Sequence, residues 1–219
     1  MIHNSINNLI FIQDIIKDKL KTLNIPTVIA VSKKFSISEI IPLINHGHKH
    51  FGENQVQEAL EKWTDIKNDF NDIKLHMIGK LQTNKVKHAV RLFDFIHSVD
   101  NYKLAEKISN EQSKINKKIK IFIQVNIGNE PQKSGIDVEN LEKFYNECVE
   151  NLDLNIIGLM CLPPNNQIND DYFKKMKVLS KTLKVNELSM GMSNDYMNAI
   201  EQGSSFIRVG SKIFGARPK

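Results

Sequence analysis

The segment Thr27-Val-Ile-Ala-Val-Ser-Lys33, which follows Pro26, decides how the chain is read. Residues 27–32 are too continuously apolar for a half-exposed strand and too few for a helix. They describe a strand covered on both faces, as in parallel sheets. A helical stretch follows, opened by Ser36 or Ser38, with Ile37, Ile40, Ile41 and Ile44 at helical spacing and a stop at Gly47.

The same alternation repeats. Further strands are expected at 49–53, 74–79, 95–99, 119–126, 155–162, 187–190 and 205–210, and each but the last leads through a polar turn into a helix-length segment. With 27–32 they make eight, and βα repeats imply a parallel sheet with right-handed crossovers. Eight units match an α/β fold of one (β/α)8 TIM-type barrel at the low end of its usual size. An open doubly wound sheet is the alternative. It is disfavoured because no G-x-G-x-x-G follows the first strand and no long run is left for a second domain.

Ahead of the barrel, residues 1–24 place Ile6, Leu9, Ile10, Ile16 and Leu20 at helical spacing, an extra N-terminal amphipathic helix. Asp14, Lys17, Asp18 and Lys19 interrupt its apolar pattern, so it is neither a signal peptide nor a membrane span. Residues 1–219 are thus expected to be one domain, helix 1–24 followed by barrel 26–217.

Composition agrees with a globular chain of 219 residues: 41% hydrophobic, 25% charged and 7% aromatic. The net charge of +5 comes from 30 basic against 25 acidic residues spread along the chain, which does not argue for a nucleic-acid partner. Cys148 and Cys161 fit neither a disulfide framework nor paired metal ligands, and read as buried fillers in a reducing cytosol.

In such barrels chemistry gathers where strands end. Lys33 follows a fully apolar strand, where desolvation lowers an amine pKa and makes it nucleophilic; the alternative is a lysine that snorkels to solvent, as expected of Lys34. Ser193 follows strand seven and Gly210-Ser211 follows strand eight, the loops that recurrently cradle phosphate, with glycine admitting backbone N–H groups and serine adding donors. Ordinary tight turns are the alternative. Arg208 lies two residues before Gly210 and so shares its face. Facing a pyridine nitrogen, it would hold that nitrogen unprotonated; an ion pair with a carboxylate is its other reading. His46, His48 and His50 look superficially like metal ligands but read as a solvated loop, and the basic stretches 80–88 and 114–120 read as solvated helix faces.

The segments Ala30-Val-Ser-Lys33, Phe51-Gly-Glu-Asn54, His76-Met-Ile-Gly79, Leu81-Gln-Thr-Asn-Lys85, Ile96-His-Ser-Val-Asp100, Gln124-Val-Asn126 through Lys133-Ser-Gly135, Gly158-Leu-Met160, Leu188-Ser-Met-Gly-Met-Ser193 and Arg208-Val-Gly210 to Phe214-Gly-Ala-Arg217 together resemble the pyridoxal phosphate homeostasis proteins, the YggS/PROSC family. The match is collinear over roughly 27–217. It implies a barrel similar to the N-terminal domain of bacterial alanine racemase, holding pyridoxal 5′-phosphate (PLP) as a Schiff base on Lys33, with no established catalytic activity. By the same resemblance Ser193, Gly210 and Ser211 are phosphate ligands, Arg208 partners the pyridine nitrogen, and Asn54 and His76 are further pocket residues. Departures at Gln55, Leu75, Lys80 and Ser211 touch the rim.

What the resemblance implies is a cytoplasmic carrier or buffer of PLP acting in amino-acid and keto-acid homeostasis. Its partners would be PLP and apo PLP-dependent enzymes, without nucleic acid, membrane or metal, the chain being a monomer or weak dimer. Two rivals use the same residues. One is a single-domain PLP-dependent racemase or lyase with His76 as second base. The other is a Schiff-base aldolase acting on a sugar phosphate.

Overall fold

The computed structural model describes residues 3–20, 25–164 and 170–216; residues 21–24 of the expected N-terminal helix and Arg217 of the last motif lie outside them. In chain order the elements are α1 Asn4–Leu20, β1 Thr27–Val31, α2 Ile37–Asn45, β2 His50–Glu53, α3 Val56–Asp69, β3 Lys74–Met77, α4 Val86–Leu92, β4 Phe95–Val99, α5 Tyr102–Ser113, β5 Lys120–Val125, α6 Leu141–Asn146, β6 Ile156–Cys161, α7 Asp170–Thr182, β7 Glu187–Met192, α8 Tyr196–Glu201, β8 Phe206–Val209 and α9 Ser211–Phe214. The strands form a closed barrel in sequence order. It shuts where β1 runs parallel to β8, with Thr27 opposite Phe206 and Ala30 opposite Val209.

Each strand is covered twice. Ile29, Phe95, Phe122, Met160 and Phe206 fill the inside of the barrel. Residues between them, such as Val28, Ala30, Phe51, Leu75 and Ile121, pack outward against the helices. This is why the strands read as unbroken apolar runs. Trp63 of α3 is fully buried and lies on Phe51, with ring centroids 4.9 Å apart.

Most strands are shorter at their ends than the apolar runs suggest. β4 keeps its expected bounds, and β7 runs on to Met192, which pairs with Arg208 across a register shift. In α2 the Glu39 carboxylate accepts from the Ser36 N–H at 2.8 Å, which fixes the helix start at Ser36. Helix α1 buries Leu9, Ile12 and Ile16, Ile12 taking the place that spacing alone assigns to Ile10. It lies against α9, where the Asn8 side chain donates to the Ile213 carbonyl at 3.0 Å. Cys148 and Cys161 are buried and free, and burial pushes both thiols up to about 12.

Candidate functional site

The loop that carries Lys33 is built by a half-buried lysine behind it. The chain turns at Lys34, which has a φ of 67°. Lys62 of α3 reaches under this turn and donates to the carbonyls of Ser32 at 2.9 Å and Phe35 at 3.3 Å, on either side of Lys33. It also pairs with Glu53 at 2.8 Å and Glu58 at 2.9 Å. Glu58 in turn accepts the Lys34 N–H. Lys33 itself is half-buried and Lys34 exposed.

Glu53, at the end of β2, has no exposed surface. Its Oε1 takes three donors: the Ser32 hydroxyl at 2.8 Å, the Trp63 indole at 3.0 Å and Lys62. Its buried Oε2 has no partner. Burial raises the carboxyl pKa, against the opposing pull of Lys62, Trp63 and Ser32.

The loops after β7 and β8 meet at the same rim. The Ser211 hydroxyl lies 3.2 Å from that of Ser193. The loop after β7 turns tightly: the Met192 N–H donates to Asp195 at 2.6 Å. A side chain at Gly191 (φ 88°) would strike the Cβ of Ala199. Gly210 precedes α9, and a Cβ there would sit 3.4 Å from Val31, two residues before Lys33. The ends of β1 and β8, and with them Lys33, Gly210 and Ser211, are therefore neighbours. Phe35 stacks on Phe214 and ties the two loops.

Arg208 stands deeper, almost fully buried. Its Nη1 donates to the Ser189 hydroxyl at 2.6 Å and its Nη2 to the Cys161 carbonyl at 2.9 Å. Neither partner carries a charge, so the ion-pair alternative is not what its hydrogen bonds show. A guanidinium desolvated in this way favours an electron-rich acceptor brought to it.

Asn54 is half-buried at the rim, and Gly79 is what lets it sit there, since a Cβ at Gly79 would fall 2.3 Å from the Asn54 carbonyl. His76 is placed differently from a rim residue. It is fully buried inside the barrel, with Nε2 3.0 Å from His50 Nδ1 and Nδ1 2.9 Å from His97 Nε2. His97 Nδ1 lies 2.9 Å from the Ser189 hydroxyl, the same hydroxyl that Arg208 holds. His46 is exposed as expected, but His50 does not belong to a solvated loop: it opens β2 and joins this buried file.

Comparison with known proteins identifies the family. Residues 13–218 match the family model of the alanine racemase N-terminal domain. Two curated relatives named pyridoxal phosphate homeostasis protein are similar over nearly the whole chain. That of Haemophilus influenzae is 37% identical, covering 92% of this chain and 89% of its own. That of Aquifex aeolicus is 36% identical, with 89% and 88% covered.

The chain belongs to the pyridoxal phosphate homeostasis protein family. Among solved structures, PipY of Synechococcus elongatus with PLP bound superposes with a TM-score of 0.86 at 32% identity, covering 96% of this chain and all of that one. The family resemblance and the closed (β/α)8 barrel read from the sequence are both borne out. Sequence reasoning read His50 as part of a solvated loop and did not single out His97, Ser189, Glu53 or Lys62. His50, His97 and Ser189 occupy inward positions of three different strands, a signal that becomes visible only once the period of two is combined with strand register.

Proposed function

We propose that this chain binds pyridoxal 5′-phosphate as a carrier or buffer, attached as a Schiff base through Lys33, and so takes part in PLP, amino-acid and keto-acid homeostasis. The observation that carries the proposal is the convergence at one barrel rim of a strapped lysine loop, a paired-hydroxyl loop and a buried arginine whose hydrogen-bond partners are uncharged. Family relatives named for PLP homeostasis and a PLP-bound neighbour support it. Bound there, PLP supplies an aldehyde that an amine can capture. Lys33 would provide the amine, Ser193, Ser211 and the Gly210 backbone the phosphate contacts, Arg208 a donor to an unprotonated ring nitrogen, and Asn54 a rim contact. Apo PLP-dependent enzymes in the cytoplasm are the proposed recipients, the chain acting as a monomer or weak dimer. Among the described residues no helix is long and apolar enough to cross a membrane.

The racemase or lyase alternative gains nothing from the geometry. His76, its second base, has both ring nitrogens engaged by other histidines inside the barrel. The deciding experiment is the visible spectrum of the purified chain loaded with PLP, followed by borohydride reduction and peptide mapping. An adduct on Lys33, absent from Lys33→Ala, is expected. An adduct confined to other lysines, or none at all, overturns the assignment.

A further inference from the structure

Inside the barrel a single file of hydrogen bonds runs from one mouth toward the other. It starts at His50, the first residue of β2, near Lys49, Lys74, Lys120 and Asp94. It passes through His76 and His97, crosses to Ser189 on β7 and ends on Arg208 of β8. The register makes it a staircase. His50 lies opposite Lys74, so His76 is two residues further up its strand. His76 lies opposite Phe95, so His97 is again two further. Ser189 lies opposite Phe206, two below Arg208. Every step keeps the inward-facing phase of the strands.

The rings are held against rotation. His76 stacks on Phe95 and His97 on Phe122, both with centroids 4.2 Å apart and planes within 20° of parallel (13° and 18°). Polarity along the file follows from Arg208, which can only donate. Ser189 oxygen accepts from it, and the Ser189 hydrogen needs an acceptor because the residue is fully buried. His97 Nδ1 is within reach. His97 then donates from Nε2 to His76 Nδ1, and His76 from Nε2 to His50 Nδ1. The opposite polarity would leave the Ser189 hydrogen stranded in the core.

We propose that Ser189, His97, His76 and His50 are positioning residues for Arg208: a neutral file of one polarity that fixes the guanidinium from inside the barrel and presents it to an unprotonated nitrogen heterocycle. None of the four needs to touch the ligand. The ligand's identity as PLP rests on the function proposed above; the polarity of the file does not.

The test has two parts. In the ligand-free chain, long-range proton–nitrogen NMR should show His76 and His97 as neutral Nε2–H tautomers at pH 7.5. With PLP labelled at its ring nitrogen, Ser189→Ala and His76→Phe should move the nitrogen resonance of the bound cofactor. They should also weaken PLP, roughly tenfold for Ser189→Ala, which leaves a guanidinium N–H unpaired. Met160→Leu, a volume-conserving change in the same inner cluster, should do neither. If His76→Phe does not fold, Ser189→Ala, which removes one hydroxyl, carries the test. Nδ1–H tautomers at His76 or His97, or an unmoved ring-nitrogen resonance in Ser189→Ala, overturn the proposal. Nε2–H tautomers in a wild-type chain that does not bind PLP uphold the file and overturn the cofactor assignment instead.

Discussion

Phe35 and Phe214 stack with ring centroids 4.8 Å apart and planes 27° from parallel, joining the loop that carries Lys33 to the short helix after β8. The covalent and phosphate ends of the proposed site are thus coupled by an apolar contact that touches neither. Phe35→Leu loses the ring pair, worth about 0.5–1.5 kcal/mol. The unfolding free energy from urea titration should fall by that amount, and PLP should leave faster. A stability loss with an unchanged PLP off-rate would show that the stack does not couple the loops.

The hydroxyls of Ser193 and Ser211 should discriminate PLP from pyridoxal. Each charge-assisted hydrogen bond lost in Ser193→Ala or Ser211→Ala is worth about 1.5–3 kcal/mol against the phosphorylated ligand and nothing against the other. Parallel titrations give the answer. Equal weakening for both ligands would remove the phosphate role from this pair.

Lys62 should matter for stability more than its surface position on α3 suggests. Lys62→Met leaves the fully buried Glu53 without its cation and should cost about 3–5 kcal/mol in denaturant unfolding at pH 7. Adding Glu53→Gln should return most of that loss, since the amide oxygen still accepts from Trp63 and Ser32. A double variant as unstable as the single one would mean that the damage lies in the freed Ser32 and Phe35 carbonyls.

Acid should destabilise the chain through its histidines. Burial lowers His76 and His97 well below 6.5, and His48 and His50 to about 4. For a base with a depressed folded pKa, the unfolded chain binds more protons, so stability falls as pH drops below about 6.5 and levels off near the folded value. Between pH 7 and 5 each fully buried histidine removes about 2 kcal/mol. Glu53, whose carboxyl is raised by burial, works in the opposite direction. Urea midpoints at the two pH values, with proton uptake on unfolding at pH 5, measure the balance. An unmoved midpoint with no proton uptake on unfolding would mean that the file takes up protons without unfolding.

The fold was legible because each strand is buried on both faces, and eight apolar runs separated by helical stretches admit few arrangements. The same burial concealed the histidine file. A run such as Phe95-Ile-His-Ser-Val99 shows no alternation, so nothing in it says whether His97 faces inward or outward. The meeting of Ser193 and Ser211 at one rim was legible because the loops after the last two strands recurrently act together in barrels. Glu53 and Lys62 were not, since their pairing depends on the rotational phase of α3 against β2, which composition does not reveal.

The seam between the first and last strands sets a schedule for synthesis. Asn8 and Ile213, bonded in the folded chain, are 205 residues apart. A ribosome adding ~5–20 residues per second separates their appearance by about 10–40 s. From the completion of β1 to the arrival of β8, the edge of β1 that will receive β8 has no partner, while Lys33 and then Lys62, which straps its turn, are already made. Arg208, the proposed ring-nitrogen donor, and the proposed phosphate loops at Ser193 and Ser211 come from the last stretch to emerge. On the proposed function, a nascent chain would meet a free aldehyde with its lysine before it had anything to recognise the rest of the molecule, and selective loading would begin only once the barrel has shut.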